Sequence, residues 1–138
     1  MDKLKVEEFL KKNGLCVLAT AGKSGKPEAA VMAYIFKDNL LYVFTENTTR
    51  KYKNIAENNQ ASVVVGGFKD DPTVQLDGTI VELGLDEGIR MKEQALDLHP
   101  EWKGYFDSEN GKWFAIKPSW MRFSDFSAYP PEIFEEQV

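Results

Sequence analysis

A short polar segment, residues 48–51 with the sequence Thr-Thr-Arg-Lys, combines groups that bind a phosphate or another small anion. The apolar residues 40–45 before it predict a β-strand, and the apolar spacing of residues 49–58 predicts a helix that begins here. The first N–H groups of a helix have no partner within the helix and lie at the positive end of its dipole. We therefore predict an anion site at this strand–helix junction, with Arg50 and Lys51 beside the free N–H groups.

Two adjacent cations at the start of a helix need an explanation. Each opposes the helix dipole at a cost of about 0.3–1 kcal/mol, and a bound anion offsets this cost. The alternative interpretation is a solvated first turn in which Arg50 and Lys51 bind nothing. Lys53 belongs to the same turn, and we expect it to face solvent.

Length and charge limit the kind of protein that carries this site. With 138 residues, the chain is long enough for one domain with a core and too short for two. The formal net charge of −5 argues against binding to nucleic acid or to an anionic membrane, because both are negatively charged. The cations at residues 50–53 are therefore a local site on an acidic background, which favours a small-molecule ligand.

Other side chains that often carry chemistry are few. Cys16 is the single cysteine and lies among apolar residues, which predicts a buried strand thiol and excludes an internal disulfide. His99 is the single histidine and precedes a proline, which favours a helix end over a catalytic role. These counts argue against a transition-metal site and against a Ser–His–Asp triad. No apolar run is long enough for a signal peptide or a membrane span, so we expect a cytoplasmic protein.

The apolar pattern predicts three short helices and six or seven strands. Helices are expected at residues 3–13 with Asp2 as a cap, at residues 49–58, and from the cap Asp86 to the residue before Pro100. Strands are expected at residues 15–21, 27–37, 40–45, 61–65, 73–83, 113–117 and 120–126. Residues 100–110 are expected to form a loop.

The predicted strands are expected to form an antiparallel barrel. Asp38-Asn39 predicts a tight turn, so the first three strands would form a meander. Gly78 inside the fifth strand predicts a bulge or a close approach of another backbone segment. The helices are too few for a doubly wound parallel sheet, which favours a mainly β (α+β) fold. Residues 1–128 would form this single domain, and the polar, proline-broken residues 129–138 would form a tail outside the core.

Several segments of the first two thirds of the chain carry a further signal through their order and spacing. They are Leu18-Ala19-Thr20 with the turn 22–25, the strand that begins at Pro27, and residues 41–45, 50–51, 54–55, 58–65 and 75–78. Each segment alone is a weak signal, but the ordered set is fairly specific. In this set the sequence resembles the pyridoxamine 5′-phosphate oxidase-like, FMN-binding split-barrel family. The resemblance implies a six- to seven-stranded antiparallel split β-barrel with about three helices.

The resemblance also implies where a cofactor would lie. It implies an FMN whose phosphate is held by Arg50 and Lys51, with Thr48 or Thr49 adding a hydroxyl. Other residues implied to lie against the flavin are Ala29, Ala30, Val31, Met32, Phe44, Thr45 and Gln75. Thr73 is an alternative to Gln75. In this family the cofactor sits at a dimer interface, so a homodimer is implied.

Two departures from the oxidase proper bear on the substrate. That enzyme has a basic residue at the start of the strand that contacts the flavin, where this chain has Glu28-Ala29. It also has an arginine-rich substrate motif near its C-terminus, where this chain offers only Arg122 near Trp120. The smaller uncharacterised flavoproteins of the family are therefore the closer resemblance. Trp120 is expected in the core, in a dimer contact, or in a lid over the flavin.

Three functional hypotheses follow. The first is an FMN-dependent oxidoreductase that moves a hydride or electrons between a reduced nucleotide and an unknown small acceptor, with the flavin carrying the chemistry. The second is a flavin-binding carrier or sensor without turnover. The third is a different cofactor such as haem or a deazaflavin, and haem has little support because His99 lies outside the matching segments.

Overall fold

Alternating apolar residues form the inner wall of a closed antiparallel β-barrel in the computed structural model, which describes residues 3–69, 71–127 and 129–138. The strands are β1 (Leu15–Ala21), β2 (Pro27–Lys37), β3 (Leu40–Glu46), β4 (Gln60–Gly66), β5 (Thr73–Glu82), β6 (Gly111–Asp125) and β7 (Glu132–Gln137). Their order is β3-β2-β1-β4-β5-β6-β7, and β3 also pairs with β6. This last pairing closes a six-stranded barrel and leaves β7 as an added strand. The predicted antiparallel barrel fold is confirmed.

Helices cover the barrel at several points. They are α1 (Lys3–Lys12), α2 (Arg50–Glu57), α3 (Leu85–Leu98) and the short α4 (Lys103–Phe106), with a 3-10 turn at Pro100–Trp102. Helix α1 buries Val6 and Leu10 in the core, and the Tyr34 hydroxyl of β2 donates a 2.6 Å hydrogen bond to the Leu10 carbonyl. Among the described residues, no helix is both long and apolar enough to cross a membrane.

The first three strands form the predicted meander. Asp38 and Asn39 connect β2 to β3 and both have positive φ angles, 54° and 64°. Two adjacent residues with positive φ are typical of the type I′ hairpin turn, in which Asn and Asp are among the favoured residues. The turn chemistry visible in the sequence therefore fixes the register of this hairpin.

Gly78 in β5 is the position of a β-bulge, as predicted. The register between β5 and β6 shifts at Asp77/Gly78, so that Gly78 pairs with Pro118 while Asp77 pairs with Trp120. Ser119 is the extra residue on β6. A Cβ atom at Gly78 would lie 2.4 Å from the Lys117 carbonyl oxygen, closer than real contacts allow. The close backbone approach predicted for this glycine is therefore present together with the bulge.

The barrel interior and its outer cover form two apolar clusters. The interior cluster includes Leu18, Met32, Leu41, Val43, Val63, Val65, Val74, Leu76, Ile80, Phe114, Ile116 and Phe123. The outer cluster lies where α3 and α4 pack on β3 and β6, and its buried members are Phe44, Met91, Ala95, Phe106 and Trp113. Cys16 belongs to the interior cluster and is 3% exposed, which confirms the predicted buried thiol.

The predicted break in the last long strand and the predicted loop at residues 100–110 are both wrong. The two strands predicted at residues 113–117 and 120–126 form one long strand, β6, which ends at Asp125, because the bulge accommodates Pro118 within the β5–β6 pairing. Residues 100–110, predicted as a loop, contain the 3-10 turn and α4. Phe106 of α4 is buried in the outer cluster, so tertiary packing stabilises a helix of only four residues.

The polar C-terminal segment, predicted to lie outside the core, contains strand β7. This strand pairs with β6 from Asp125↔Glu132 to Trp120↔Gln137, and Phe134 packs against the interior cluster. The Trp120 indole N–H also donates a 2.8 Å hydrogen bond to Glu135. Exposure alternates along β7 as in an edge strand: Ile133, Glu135 and Gln137 are exposed, whereas Glu132 and Glu136 lie on the same half-buried face as Phe134.

Predicted helix caps are only partly tested. Asp2, the predicted cap of the first helix, lies outside the described residues. Helix α3 begins at Leu85 with Gly84 as its N-cap, so the predicted cap at Asp86 is wrong. Asp86 instead lies in the first turn, where its charge interacts favourably with the helix dipole.

Replacing Gly78 by alanine should destabilise the barrel, because the added Cβ would collide with the Lys117 carbonyl. We expect Gly78→Ala to lower the free energy of unfolding by about 1–3 kcal/mol, measured by urea denaturation. The matched control is Gly88→Ala in α3, where a Cβ has no neighbour within 4 Å. That change should raise stability by about 0.5–1 kcal/mol. Equal effects of the two substitutions would contradict the assigned bulge.

Burial of Cys16 predicts a loss of stability at alkaline pH. Burial raises the pKa of the Cys16 thiol to about 12 from its ordinary value of 9.0. The unfolded thiol ionises first, so this contribution is fully present below pH 9.0 and is lost as the pH rises towards about 12. Cys16→Ala should show a shallower fall of unfolding free energy over this range. A thiol reagent should also label native Cys16 far more slowly than the denatured protein, and rapid native labelling would contradict the burial.

Candidate functional site

The start of helix α2 is held by hydrogen bonds to the end of β3. Thr49 is the N-cap, and its hydroxyl oxygen accepts a 3.2 Å hydrogen bond from the Tyr52 N–H. The same hydroxyl donates to the Glu46 carbonyl at 3.0 Å, and it lies 3.2 Å from the hydroxyl of buried Thr45. Since the one proton of Thr49 is used for Glu46, Thr45 is the donor of this pair. Thr49 therefore positions α2 and has no proton left for a ligand.

The other end of α2 is attached to strand β1 and its turn. Asn54 donates a 3.2 Å hydrogen bond from its side chain to the Thr20 hydroxyl. The Glu57 carboxylate accepts a 3.1 Å hydrogen bond from the Lys23 N–H. A Cβ at Gly22 would lie 2.5 Å from Glu57 Oε1, so the turn approaches the helix closely. Contacts at both ends thus fix α2 against the end of the barrel.

A cavity of about 310 Å³ lies between the start of α2 and strands β1 and β2. Its lining includes five of the residues predicted for the site: Ala29, Ala30, Thr49, Arg50 and Lys51. The structure therefore brings together the cation pair and the small-residue strand, which are about twenty residues apart in sequence. We call this cavity the α2 cavity.

Three further residues line the α2 cavity without having been predicted: Leu18, Thr20 and Glu28. Thr20 pairs directly with Glu28 across the β1–β2 hairpin, and Leu18 pairs with Ala30. Directly paired residues point to the same face of a sheet. Once Ala30 is assigned to the site, the pairing of β1 with β2 therefore places Leu18, Thr20 and Glu28 on the same face. This pairing could have been predicted from the short turn at residues 22–25.

The α2 cavity has two positive side chains and one negative side chain. Arg50 Nη1 lies 3.6 Å from Glu28 Oε1, and the side chains of Arg50 and Glu28 are 80% and 25% exposed. The N–H groups of Arg50 and Lys51 have no hydrogen-bond partner among the described residues, as expected for the first turn of a helix. The cavity thus offers two free N–H donors and two cations to an oxyanion, with one carboxylate nearby.

Other predicted residues lie outside the α2 cavity. Met32 is buried inside the barrel, and Thr45 lies behind Thr49 with 2% exposure. Phe44 lies on the face of β3 opposite to Thr45 and packs in the outer cluster, where its ring contacts the aromatic ring of Trp113. Val31 and Gln75 lie on the outer surface of the barrel. The single chain therefore does not place Val31, Met32, Phe44 and Gln75 around one cavity.

Val31 and Gln75 share one row of the outer sheet face. The register runs from Val31 on β2 to Val17 on β1, then to Val64 on β4 and Gln75 on β5. Val31 is 69% exposed, and Leu15 of the same face is 57% exposed. Ala29 belongs to this face and also lines the α2 cavity. The outer face of β2-β1-β4 is thus an exposed apolar surface that continues into the cavity.

A separate cavity of about 430 Å³ lies under α3, beside Phe44 and Trp113. The Trp113 indole N–H is buried and has no hydrogen-bond partner within the described residues. Trp113 also lines a space of about 20 Å³, large enough for one water molecule as a partner. The Tyr105 hydroxyl donates to the Phe44 carbonyl at 3.2 Å, and burial raises the pKa of Tyr105. This region is mainly a packed aromatic cover.

His99 lies at the end of α3, away from the α2 cavity. Its ring stacks on Trp102 with a 4.3 Å centroid distance, and Nδ1 is 3.3 Å from the Glu101 carboxylate. It also lines a groove of about 410 Å³ with Lys11 and Lys12. Within the described residues, no group of three or more His, Cys, Asp or Glu side chains is arranged to hold a metal ion.

Comparisons with known proteins agree with this architecture. A pyridoxamine 5′-phosphate oxidase-related, FMN-binding protein from Nostoc punctiforme is 14% identical, with a TM-score of 0.76 and coverage of 99% of this chain and 95% of that chain. General stress protein 26 from Bacillus anthracis is 21% identical, with a TM-score of 0.75 and coverage of 97% and 98%. The heme storage protein HutZ from Vibrio cholerae is 16% identical, with a TM-score of 0.73 and coverage of 84% and 89%. At these identities the likeness is one of fold.

The sequence itself matches a family over most of its length. No curated protein gives a match. Residues 3–125, which include all six strands of the closed barrel, match the family described as pyridoxamine 5′-phosphate oxidase. The chain therefore belongs to the pyridoxamine 5′-phosphate oxidase-like family.

Proposed function

We propose that this chain binds FMN in the α2 cavity and serves as an oxidoreductase that moves a hydride or electrons between a reduced nucleotide and a small acceptor. The observation that carries the proposal is the lining of that cavity. Arg50 and Lys51 stand at a helix start with free N–H groups, next to the small residues Ala29 and Ala30. The Nostoc punctiforme relative, described as FMN binding, supports the same ligand.

The residues present suit the phosphate end of FMN. An anion at the start of α2 would receive hydrogen bonds from the Arg50 and Lys51 N–H groups and from their side chains. Thr49 would act through the helix cap, because its proton is already donated to Glu46. Ala29 and Ala30 leave room beside the strand, which a planar ring requires. The family glutamine suggested at Gln75 would contact a flavin only across an interface, since Gln75 lies on the outer face.

A bound flavin would supply the redox chemistry, accepting or giving a hydride at its N5 atom. The side chains of the α2 cavity would bind and orient the cofactor, and Leu18 would exclude water from one side of it. Glu28 is the one carboxylate of this lining, and no histidine or cysteine belongs to it. No residue of the cavity is proposed as a covalent catalyst.

A flavin carrier or sensor without turnover is the second candidate function. The lining favours it in one respect, because it contains no histidine, and Glu28 and Lys51 are its only side chains suited to general acid–base catalysis. Haem is a weaker candidate, although the Vibrio cholerae relative is described as a heme storage protein. The sole histidine, His99, lies in a separate groove with its ring against Trp102.

We also propose that the protein is a homodimer formed through the outer face of β2-β1-β4. Leu15 and Val31 expose apolar side chains there, and Ala29 connects this face to the α2 cavity. A second copy on this face would cover the apolar surface and complete the open side of each cavity. It would also bring Gln75, at the end of the same row, close to the interface.

Removing the two cations Arg50 and Lys51 should greatly weaken FMN binding. We expect the double substitution Arg50→Ala/Lys51→Ala to raise the FMN dissociation constant at least about 100-fold, because two charge-assisted contacts are worth about 1.5–3 kcal/mol each. Quenching of flavin fluorescence measures this constant. Lys53→Ala, which removes an exposed cation from the same helix, is the matched control. Riboflavin lacks the phosphate, so its binding should be the same in all three proteins.

The same titrations separate the candidate functions. A protein that binds neither FMN nor riboflavin is not a flavoprotein, and a Soret band after addition of hemin would then favour haem. If FMN binds, reduction by NADH or NADPH followed by continuous transfer to an added acceptor supports the oxidoreductase. Bound FMN that no reduced nucleotide turns over would instead support the carrier.

A charge on the outer face should break the dimer. We expect wild-type protein to have the mass of a dimer in light scattering coupled to gel filtration, and Val31→Asp to have the mass of a monomer. The matched control is Leu85→Asp on α3, where an apolar side chain is 81% exposed outside this face. A monomeric wild type, or a dimer that survives Val31→Asp, would rule out the proposed interface.

A further inference from the structure

Glu28 occupies an unusual place for a carboxylate, because it lines the cavity that is proposed to hold a phosphate. Its carboxylate lies 3.6 Å from Arg50 Nη1, and its side chain is only 25% exposed. The neighbouring Thr20 and Ala30 on the same sheet face are a hydroxyl and a methyl group, so neither neutralises it. Glu28 and Arg50 form an ion pair inside the proposed site.

The charges of the α2 cavity do not match those of a phosphate monoester. Such a group carries about −1.5 to −2 charges at neutral pH. Arg50 and Lys51 supply two positive charges, and Glu28 removes one of them. A phosphate at the start of α2 must therefore either draw Arg50 away from Glu28 or bind close to an uncompensated carboxylate. Both alternatives weaken its binding.

No other contact explains the presence of a carboxylate at position 28. Its carboxylate has no hydrogen-bond partner among the described residues, and Arg50 is its only ion-pair partner there. Arg50 is itself 80% exposed, and an ion pair this accessible adds little to stability. This carboxylate therefore adds little to the stability of the fold. Its main effect is to repel an anion that approaches Arg50.

We infer that Glu28 is a specificity-determining residue that competes with a ligand's phosphate for Arg50 and so keeps FMN weakly bound and exchangeable. The inference rests on the proposed FMN site. In the free protein Glu28 holds Arg50. When a phosphate binds, Arg50 moves to it, and Glu28 remains beside the anion as an opposing charge. Ligands without a phosphate do not meet this opposition.

The test compares FMN, riboflavin and inorganic phosphate as ligands of wild-type protein, Glu28→Gln and Glu28→Ala. We expect both substitutions to lower the FMN dissociation constant about three- to tenfold. This is the effect of removing one negative charge near a bound anion in a partly exposed site. Riboflavin binding should be unchanged. Inorganic phosphate, followed by calorimetry, should bind more tightly to both variants. Glu93→Gln on α3 makes the same change of net charge outside the α2 cavity and should alter none of the three constants.

Each other outcome has a distinct meaning. An FMN dissociation constant that is unchanged or higher in both variants overturns the inference. Loss of both FMN and riboflavin binding also overturns it, because Glu28 would then accept hydrogen bonds from the ribityl hydroxyls common to both ligands. If no protein binds either flavin, the proposed function fails, and the phosphate arm alone decides whether Glu28 opposes an anion at Arg50. Circular dichroism of each variant verifies that the barrel is folded.

Discussion

The pairing of β3 with β6 is the interaction on which the rest of the molecule depends. It runs from Leu41↔Ile116 to Glu46↔Gly111, and residues 114–116 of β6 pair with β5 on their other side. The barrel therefore has no open edge along this seam, and its strands cannot slip independently. Since β3 is fixed in this way, the point at which the chain leaves the barrel is fixed too. The helix that follows must begin at the barrel end, beside β1 and β2.

Helix α2 is too short to be stable alone, so its position must come from contacts with the barrel. Thr49 supplies them at its start, through the Glu46 carbonyl and the Thr45 hydroxyl, and Asn54 supplies one further along through Thr20. All of these partners are uncharged. The free N–H groups at the start of α2 are therefore aimed by neutral hydrogen bonds. The Arg50 side chain, which is 80% exposed, remains able to change partner.

The sequence predicted the barrel well because its strands alternate and its hairpin turns carry Asn, Asp and Gly. It failed for β7, where glutamates lie on both faces of the strand beside Phe134, and for β6, where a proline within a bulge resembled a break. For the site, the cation pair is visible in the sequence, whereas the residues of the neighbouring strand that can join it depend on which face of the sheet each one occupies. Adjacent strand residues face opposite sides, so residues 29–32 cannot all contact one ligand from a single chain. Val31 accordingly lies on the outer face, and Met32, on the same face as Ala30 but further along β2, is buried in the core.

The barrel alone does not decide the ligand. Relatives that share the fold at 14% and 16% identity are described as FMN binding and as heme storage, so the choice must come from side chains at particular places. In this chain the barrel end carries two cations, one carboxylate and a helix start, which is chemistry for an oxyanion. The single histidine is engaged by Trp102 and Glu101 in a different groove. These placements favour the proposed phosphate-bearing cofactor at α2, where Glu28 reduces the two positive charges of the lining to a net charge of one.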